Sequence, residues 1–211
     1  MAFDFDIEKL RKFIKTCSNL MEENKQYLID LDSALGDGDL GLTMTAGFAE
    51  ASAFADNSKE TDIGKLTAQA GMAMSRKVPS TMGTLVASGF MGAGKAVKGK
   101  TELTDADLAS FITGFTDGVK HRGKASEGDR TIVDALGPGA KAFADAVASG
   151  KSAADAAKDA DKAAAEGRDA TVNMKPKFGR AVYYGDQVLG KVDQGAVVGS
   201  LIFKALDTTL N

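Results

Sequence analysis

The feature that most constrains the fold is a helical spacing of apolar residues that recurs along almost the whole chain. In the segment TDADLASFITGFTDGVKH, Thr104 and Asp107 form a cap-like start, and apolar residues follow three or four positions apart. Those residues are Leu108, Phe111, Ile112, Phe115 and Val119. The segment KSAADAAKDADKAAAEGRDAT has the same pattern: Ser152 and Asp155 form the cap-like start, and the apolar face is made almost wholly of alanine. Such a narrow face predicts helices that pack closely.

The periodicity predicts an all-α fold of eight helices in one domain, residues 1–211. The predicted helices span residues 6–24, 41–56, 61–77, 82–98, 104–121, 130–149, 152–173 and 194–208. Their short connections are typical of antiparallel neighbours in a bundle. Residues 174–193 are too irregular and glycine-rich for a helix and predict a long loop, which is either functional or flexible.

Composition supports this fold class and excludes several functions. Aromatic residues make up only 7% of the chain and tryptophan is absent, which favours helices over a sheet sandwich. The 26 basic and 29 acidic residues are scattered along the chain and give a net charge of -3. Because they form no basic stripe, nucleic-acid binding is not expected. The N-terminus does not resemble a signal peptide and no long apolar run occurs, which predicts a soluble, cytoplasmic protein without a membrane partner.

Single copies of cysteine and histidine limit the metal chemistry that is available. Cys17 and His121 are each the only residue of their type, which excludes intrachain disulfides and zinc sites built from several such ligands. We expect His121 to be a solvated residue at a helix end. Any metal must therefore be held mainly by oxygen.

An acidic, glycine-rich turn is the clearest candidate for such a metal site. The stretch DLDSALGDGDLG, residues 30–41, contains Asp32, Asp37 and Asp39, whose like charges repel when the glycines fold the chain back. Magnesium usually takes one or two carboxylates together with waters and substrate phosphates. Three acids therefore suffice for two ions that share a nucleotide.

This turn has two alternative interpretations, a helix cap and an EF-hand calcium loop. The acids could cap a helix that begins near Gly41, because aspartate favours turns and helix N-termini. An EF-hand calcium loop is disfavoured, because its twelfth position requires glutamate. That position is Thr43 when counted from Asp32 and Phe48 when counted from Asp37.

The segment DSALGDGDLGLTMTAGF resembles the aspartate signature of the dihydroxyacetone kinase L subunit family, the nucleotide-binding component of that kinase. Three further segments follow in the family's order: STMGTL at 80–85, HRGKASEGDRTIVDAL at 121–136 and FGRAVYYGDQVLGKVDQGA at 178–196. The resemblance covers nearly the whole chain. It implies an up-and-down barrel of eight antiparallel helices with the nucleotide at one end.

The resemblance also implies a set of site residues. Asp32, Asp37 and Asp39 would hold two Mg²⁺ ions on the phosphates of ADP or ATP, and Asp37 and Asp39 would be the catalytic pair. The implied nucleotide contacts are Leu40, Gly41, Leu42 and Thr43 at one helix start, Thr81, Met82 and Gly83 at another, and Gly123, Ile132, Arg180, Asp193, Gln194 and Gly195 around the adenosine part.

Several of these residues also have a purely structural interpretation. Gly123 and Gly128 can terminate helices, and Ile132 can be a core residue. We expect Asp129 and Thr131 to cap and brace the helix that begins beside them.

The chain departs from the family pattern at three positions. Leu40 stands where the family has a histidine beside the phosphates, Met82 replaces a serine, and Gln194 replaces the proline of an Asp-Pro-Gly turn. Loss of the imidazole and of the hydroxyl would remove two phosphate-side hydrogen bonds, each worth about 0.5–3 kcal/mol.

The resemblance predicts phosphoryl transfer from a Mg²⁺-bound nucleotide to dihydroxyacetone or a related short ketose or triose, held by a separate substrate-binding K-type subunit. A free chain of 211 residues favours the type in which bound ADP is rephosphorylated by a phosphohistidine carrier fed from phosphoenolpyruvate, although free ATP is the other option. The alternative is a non-catalytic nucleotide-binding paralogue that signals phosphorylation state to a transcription regulator. The sugar and the oligomeric state stay open, with a homodimer as one option.

Overall fold

The computed structural model describes residues 5–211, and these residues form a closed ring of helices. The α-helices are α1 (Ile7–Glu23), α2 (Lys25–Ser33), α3 (Leu40–Asn57), α4 (Ile63–Lys77), α5 (Thr81–Ala96), α6 (Asp105–Gly123), α7 (Val133–Ala148), α8 (Ala153–Ala170) and α9 (Gln194–Leu210). Each long helix packs against its neighbours in the chain, and α1 packs against α9 to close the ring. The predicted all-α class is confirmed.

All eight predicted helices are present, and their observed ends differ from the predicted ones by at most three residues. The structure adds the short helix α2, which continues from α1 after a break at Asn24 (φ -99°, ψ 8°). Only Leu28 and Asp32 are buried on α2, so it lacks the apolar stripe by which the others were predicted. A two-residue antiparallel strand pair, β1 (Phe5–Asp6) and β2 (Glu102–Leu103), was also not predicted.

Small residues set the distances between the helices. A Cβ atom added at Gly92 on α5 would lie 2.2 Å from the carbonyl oxygen of Gly114 on α6, so only glycine allows this approach. The buried face of α8 consists of alanines, as the sequence predicted. Inside the ring, Phe90 packs edge-on against Phe48 and Phe115, with ring centroids 6.0 and 5.5 Å apart.

The predicted loop between α8 and α9 is folded rather than extended. It contains a 3₁₀ segment at Arg180–Val188, interrupted at Gly185 (φ 53°, ψ -128°). A further 3₁₀ turn, Thr171–Asn173, replaces the last residues of the predicted helix 152–173. Ala181 and Val188 form a small buried cluster with Leu35, against which Tyr184 packs. The loop is therefore held against the turn between α2 and α3.

None of the helices within residues 5–211 is long and apolar enough to cross a bilayer. Cytoplasmic localisation remains a prediction.

Candidate functional site

The up-and-down connectivity brings four connections to one end of the ring. These are the turns between α2 and α3, between α4 and α5 and between α6 and α7, and the long loop before α9. Every site residue predicted from the sequence lies in one of these connections or in the helix ends beside them. We call this end the loop end of the barrel.

The three aspartates converge there. One carboxylate oxygen from each of Asp32, Asp37 and Asp39 lies within 4.8 Å of the other two. Asp32 is buried, whereas Asp37 and Asp39 are exposed. Hard divalent cations prefer such oxygen donors, so the residues present fit the predicted magnesium.

Glycine allows the chain to bring these acids together. Gly38 has a φ of +76°, which places it in the left-handed region that side chains disfavour. At Gly36 an added Cβ would lie 2.3 Å from Oδ1 of Asp32. Both glycines are therefore required by the backbone path of the turn.

The cluster carries negative charge that nearby groups offset only in part. Burial raises the pKa of the Asp39 carboxyl, and the charges of Asp37 and Asp32 raise it further. Arg180 acts in the opposite direction, because its Nη2 lies 2.7 Å from Oδ2 of Asp37. The carboxylates together can thus accept further positive charge.

The interpretation of this turn as a helix cap is not supported for Asp39. Asp39 occupies the N-cap position of α3, but its side chain makes no capping hydrogen bond. The N–H of Leu40 donates to Oδ2 of Asp32 at 3.2 Å, and the N–H of Thr43 donates to the carbonyl oxygen of Asp39. The N–H groups of Gly41 and Leu42 are the remaining first-turn donors, of the kind that bind phosphate oxygens.

Leu40 itself does not point toward a phosphate position. Its side chain is only 5% exposed and belongs to the main hydrophobic core. The sequence comparison placed an imidazole beside the phosphates at this position, whereas the structure directs the Leu40 side chain inward. Its backbone N–H is the part that reaches the aspartates.

The start of α5 also differs from the prediction in one respect. Ser80 caps this helix, and its side chain accepts a hydrogen bond from the N–H of Gly83 at 3.0 Å. That donor is therefore already used. Thr81 and Met82 remain at the helix N-terminus, and an added Cβ on Gly195 would contact the Met82 methyl group at 3.0 Å.

The start of α9 joins the aspartates to this region. Nε2 of Gln194 donates to Oδ1 of Asp32 at 3.2 Å. Gly195 lies close to Met82 and to the backbone N of Ile132. The Asp193-Gln194-Gly195 turn therefore contacts both the acidic cluster and the α6–α7 connection. Its implied place around the adenosine part of a nucleotide stays a prediction.

A cavity of about 560 Å³ also lies at the loop end, lined by residues other than the three aspartates. Thr81, Gly123 and Ile132, all predicted site residues, are part of its wall. Its other polar residues include Ser80, Thr84, Arg122 and Thr131, and its apolar wall includes Leu85, Val119, Val133 and Phe178. Gly179 also lines it, directly before the Arg180 that pairs with Asp37, so the cavity and the acidic cluster are neighbours.

Sequence reasoning missed Arg130, Asp134, Arg122 and Phe178. Arg130 is 1% exposed and has a φ of 57°. Its Nη2 donates to the carbonyl oxygen of Lys191 at 2.9 Å, and its Nη1 lies 3.5 Å from Oδ1 of Asp193. Nothing in a single sequence distinguishes a buried arginine from a solvated one, so these contacts could not be predicted.

The connection before α7 is held by Asp134. Its carboxylate accepts hydrogen bonds from the N–H groups of Gly128 and Thr131 at 2.5 and 2.6 Å. The Thr131 hydroxyl accepts from the N–H of Val133 and so braces the start of α7 as predicted, but the N-cap position belongs to Ile132, which makes no side-chain capping hydrogen bond. Asp129 instead braces the preceding loop, where it accepts from Ser126 and pairs with Lys177. The Thr131-x-x-Asp134 spacing was an available capping signal.

The structure also bears on the other structural expectations, and Ile132 is a core residue, as expected. His121 lies exposed in the last turn of α6, as predicted. Gly123 is the last residue of α6 and lines the cavity, but the left-handed residue that ends the helix is Lys124 (φ 54°). Gly128 (φ 90°) lies in the turn between α6 and α7 and ends no helix.

Residues 34–208 match the DAK2 domain family. This chain belongs to that family. An ADP-binding subunit, DhaL, of a PEP-dependent dihydroxyacetone kinase from Listeria innocua is 36% identical over 84% of this chain and 82% of its own length. The corresponding DhaL subunit from Escherichia coli is 29% identical over 87% of this chain and 88% of its own.

The fold is also similar to a solved structure, the dihydroxyacetone kinase from C. freundii in complex with AMP-PNP and Mg²⁺. The TM-score is 0.73 with 25% sequence identity, over 94% of this chain and 33% of that one. This chain therefore spans about a third of that kinase. The family resemblance inferred from the sequence is confirmed.

Proposed function

We propose that this chain is the nucleotide-binding subunit of a dihydroxyacetone kinase and transfers a phosphoryl group from a Mg²⁺-bound nucleotide to dihydroxyacetone or a related short ketose or triose. The substrate would be held by a separate K-type subunit. The observation that carries the proposal is the convergence of three carboxylates beside a cavity at the loop end.

Each part of the nucleotide has a matching part of the site. Asp32, Asp37 and Asp39 would hold two magnesium ions, which supply charge neutralisation for the phosphates when bound. The free N–H groups of Gly41 and Leu42 at the start of α3 are suited to phosphate oxygens. The cavity of about 560 Å³, with its apolar and hydroxyl-bearing wall, has a size suited to the adenosine part.

Arg180 has a role in both halves of the site. It pairs with Asp37, and it follows Gly179 of the cavity wall. A guanidinium at this position can contact a phosphate oxygen and offset charge that develops during transfer. We assign no general base to this chain, because phosphoryl transfer depends mainly on positioning and charge, and the substrate-holding subunit can supply the base.

Binding measurements test this proposal first. Magnesium–ADP affinity would be measured by calorimetry for wild type, Asp37→Asn, Asp39→Asn and Asp56→Asn. Asp56 is an exposed acid near the other end of α3, about 25 Å from Asp39, so Asp56→Asn is a control with the same charge change. We expect more than about 100-fold weaker binding for the first two variants, because even loss of an outer-shell partner typically costs about 10–100-fold. Unchanged affinity in both would contradict the metal assignment.

A transfer assay then separates the kinase from the regulatory alternative. The protein would be mixed with a K-type subunit and dihydroxyacetone, and supplied either with ATP or with phosphoenolpyruvate and the phosphohistidine carrier. We expect dihydroxyacetone phosphate to form with the carrier system while ADP stays on the protein. Tight nucleotide binding without transfer from either donor would favour the regulatory paralogue.

A further inference from the structure

Gln194 contacts the acidic cluster from α9, which packs beside α1 and α2 where the ring closes. It is the first residue of α9, and its Nε2 donates to Oδ1 of Asp32, 162 positions earlier in the chain, at 3.2 Å. Its other amide atom, Oε1, is buried and accepts no hydrogen bond from any part of the chain that the structure describes. A buried carbonyl oxygen without a donor requires an explanation.

We infer that Gln194 is a positioning residue for the magnesium centre, whose amide fixes the orientation of Asp32 and whose Oε1 is available to a water bound to the ion. The inference rests on the proposed function. No family feature predicts it, because the resemblance has proline at this position.

Both oxygens of Asp32 are held by donors from different elements. Oδ1 accepts from Gln194 on α9, and Oδ2 accepts from the N–H of Leu40 on α3. The backbone at Gly36 closes a third side, since an added Cβ there would lie 2.3 Å from Oδ1. These contacts leave the carboxylate little freedom to rotate. An ionised carboxylate only accepts hydrogen bonds, so the amide must turn its Nε2 toward Asp32.

Gln194 is itself placed by fixed neighbours. The buried Asp193 accepts a hydrogen bond from the N–H of Ala196 at 2.8 Å and thereby caps α9. Arg130 approaches Asp193 from the α6–α7 connection. On the other side, Gly195 lies against Met82. The backbone that carries the Gln194 amide is therefore held in position before any ion binds, as an outer-shell partner requires.

The experiment uses Mn²⁺ as the probe, because its electron paramagnetic resonance spectrum reports both free ion and the symmetry of bound ion. Mn²⁺ would be titrated in the presence of ADP into wild type, Gln194→Met and Gln26→Met. Methionine keeps the length of glutamine but removes both amide atoms. Gln26 on α2 donates to the exposed Asp30 at 2.8 Å, so Gln26→Met removes a similar glutamine–aspartate hydrogen bond that involves none of the three clustered aspartates.

We expect Gln194→Met to weaken Mn²⁺ binding by about 10-fold or more, the range typical of lost outer-shell partners, and Gln26→Met to change it less than about twofold. The spectrum of the bound ion should also broaden in Gln194→Met, because Asp32 then adopts more than one orientation. A role confined to the stability of α9 would lower the melting temperature and leave the bound-ion spectrum unchanged.

A second variant covers the case in which Gln194→Met does not fold. Proline is well accepted at the first position of a helix, and Asp193 has the extended conformation (φ -73°, ψ 126°) that precedes proline. Gln194→Pro should therefore fold and show the same loss of Mn²⁺ affinity. Wild-type affinity and spectrum in either folded variant would overturn the inference. If wild type itself binds no Mn²⁺–ADP, the proposed function fails instead.

Discussion

The three aspartates share a charge but differ in their surroundings. Asp32 is buried and both of its oxygens accept hydrogen bonds, whereas Asp37 and Asp39 are exposed. One buried, hydrogen-bonded carboxylate beside two exposed ones suits the proposed site, which would have to bind an ion and also let a nucleotide phosphate approach. At the residue scale, the site is therefore organised around Asp32.

Leu40 gives a prediction at this scale. We expect Leu40→His to lower the free energy of unfolding by about 2–4 kcal/mol, because it removes a buried apolar side chain and places an imidazole without a partner in the core. Leu40→Met, which conserves volume, should cost less than about 1.5 kcal/mol. Urea unfolding of the apo proteins measures both values. Tighter magnesium–ADP binding by a fully stable Leu40→His would instead show that the imidazole reaches the phosphates.

At the scale of elements, the start of α9 connects most parts of the site. Asp193 caps the helix, Gln194 reaches Asp32, and Gly195 packs against Met82. Arg130, from the α6–α7 connection, approaches the side chain of Asp193 in the same turn. The backbone N–H of Asp193 donates to the hydroxyl oxygen of Thr171. Displacement of this helix end would therefore disturb the aspartates and the cavity together.

Asp193 gives a prediction about pH. Burial raises the pKa of Asp193 to about 6, above the value near 4 expected in the unfolded chain. The native state then binds the proton of the Asp193 carboxyl more tightly than the unfolded chain does. Asp193 therefore contributes stability that is fully present below about pH 4 and is lost as pH rises through about 6. In Asp193→Asn this contribution is absent.

The stability of wild type relative to Asp193→Asn should therefore increase as pH falls from 7 to 4, by up to about 3 kcal/mol. Urea unfolding at several pH values, without metal or nucleotide, measures the difference. The comparison with the variant removes the effect of other carboxyl groups that titrate in the same range. Parallel curves for the two proteins would show that Asp193 does not titrate as expected.

Much of this architecture could be predicted from the sequence, because each long helix carries its own apolar stripe. Helix α2 could not, since only two of its residues are buried, and neither could the 3₁₀ segment Arg180–Val188, which is ordered by contact with Leu35. The acidic cluster was predictable because Asp32, Asp37 and Asp39 lie in one short turn. The Gln194–Asp32 and Arg130–Asp193 contacts were not, because they join residues far apart in the chain and depend on closure of the ring.

At the scale of the whole molecule, the closed ring places the acidic cluster, the cavity and the connections around them at one end. Each helix packs on its neighbours, and α1 closes against α9. The core is continuous through the ring, from Phe5 to Leu206. The loop end can therefore carry repelling charges and open connections while the rest of the barrel supplies the stability.

This division predicts how ligand affects heat stability. A ligand that binds only the folded protein adds about 2.7 kcal/mol at a concentration 100 times its Kd. For a domain of this size that corresponds to a rise in melting temperature of roughly 5–10 °C. We expect this rise with Mg²⁺ and ADP together, because the cation both relieves the repulsion among the aspartates and binds the phosphates. ADP with EDTA should give a much smaller shift.

Melting temperatures of Asp39→Asn and Asp56→Asn, measured with and without Mg²⁺ and ADP, identify which residues the stabilisation depends on. Removal of one exposed carboxylate from the cluster reduces repulsion, so apo Asp39→Asn should melt at or slightly above the wild-type temperature, yet gain little from Mg²⁺ and ADP. Asp56→Asn should respond to ligand as wild type does. Equal shifts with Mg²⁺ and with EDTA in the wild type would mean that direct contacts to the nucleotide, such as those available at Arg180 and the start of α3, carry the affinity. The aspartates would then have to be explained as part of a surface that meets the partner subunit.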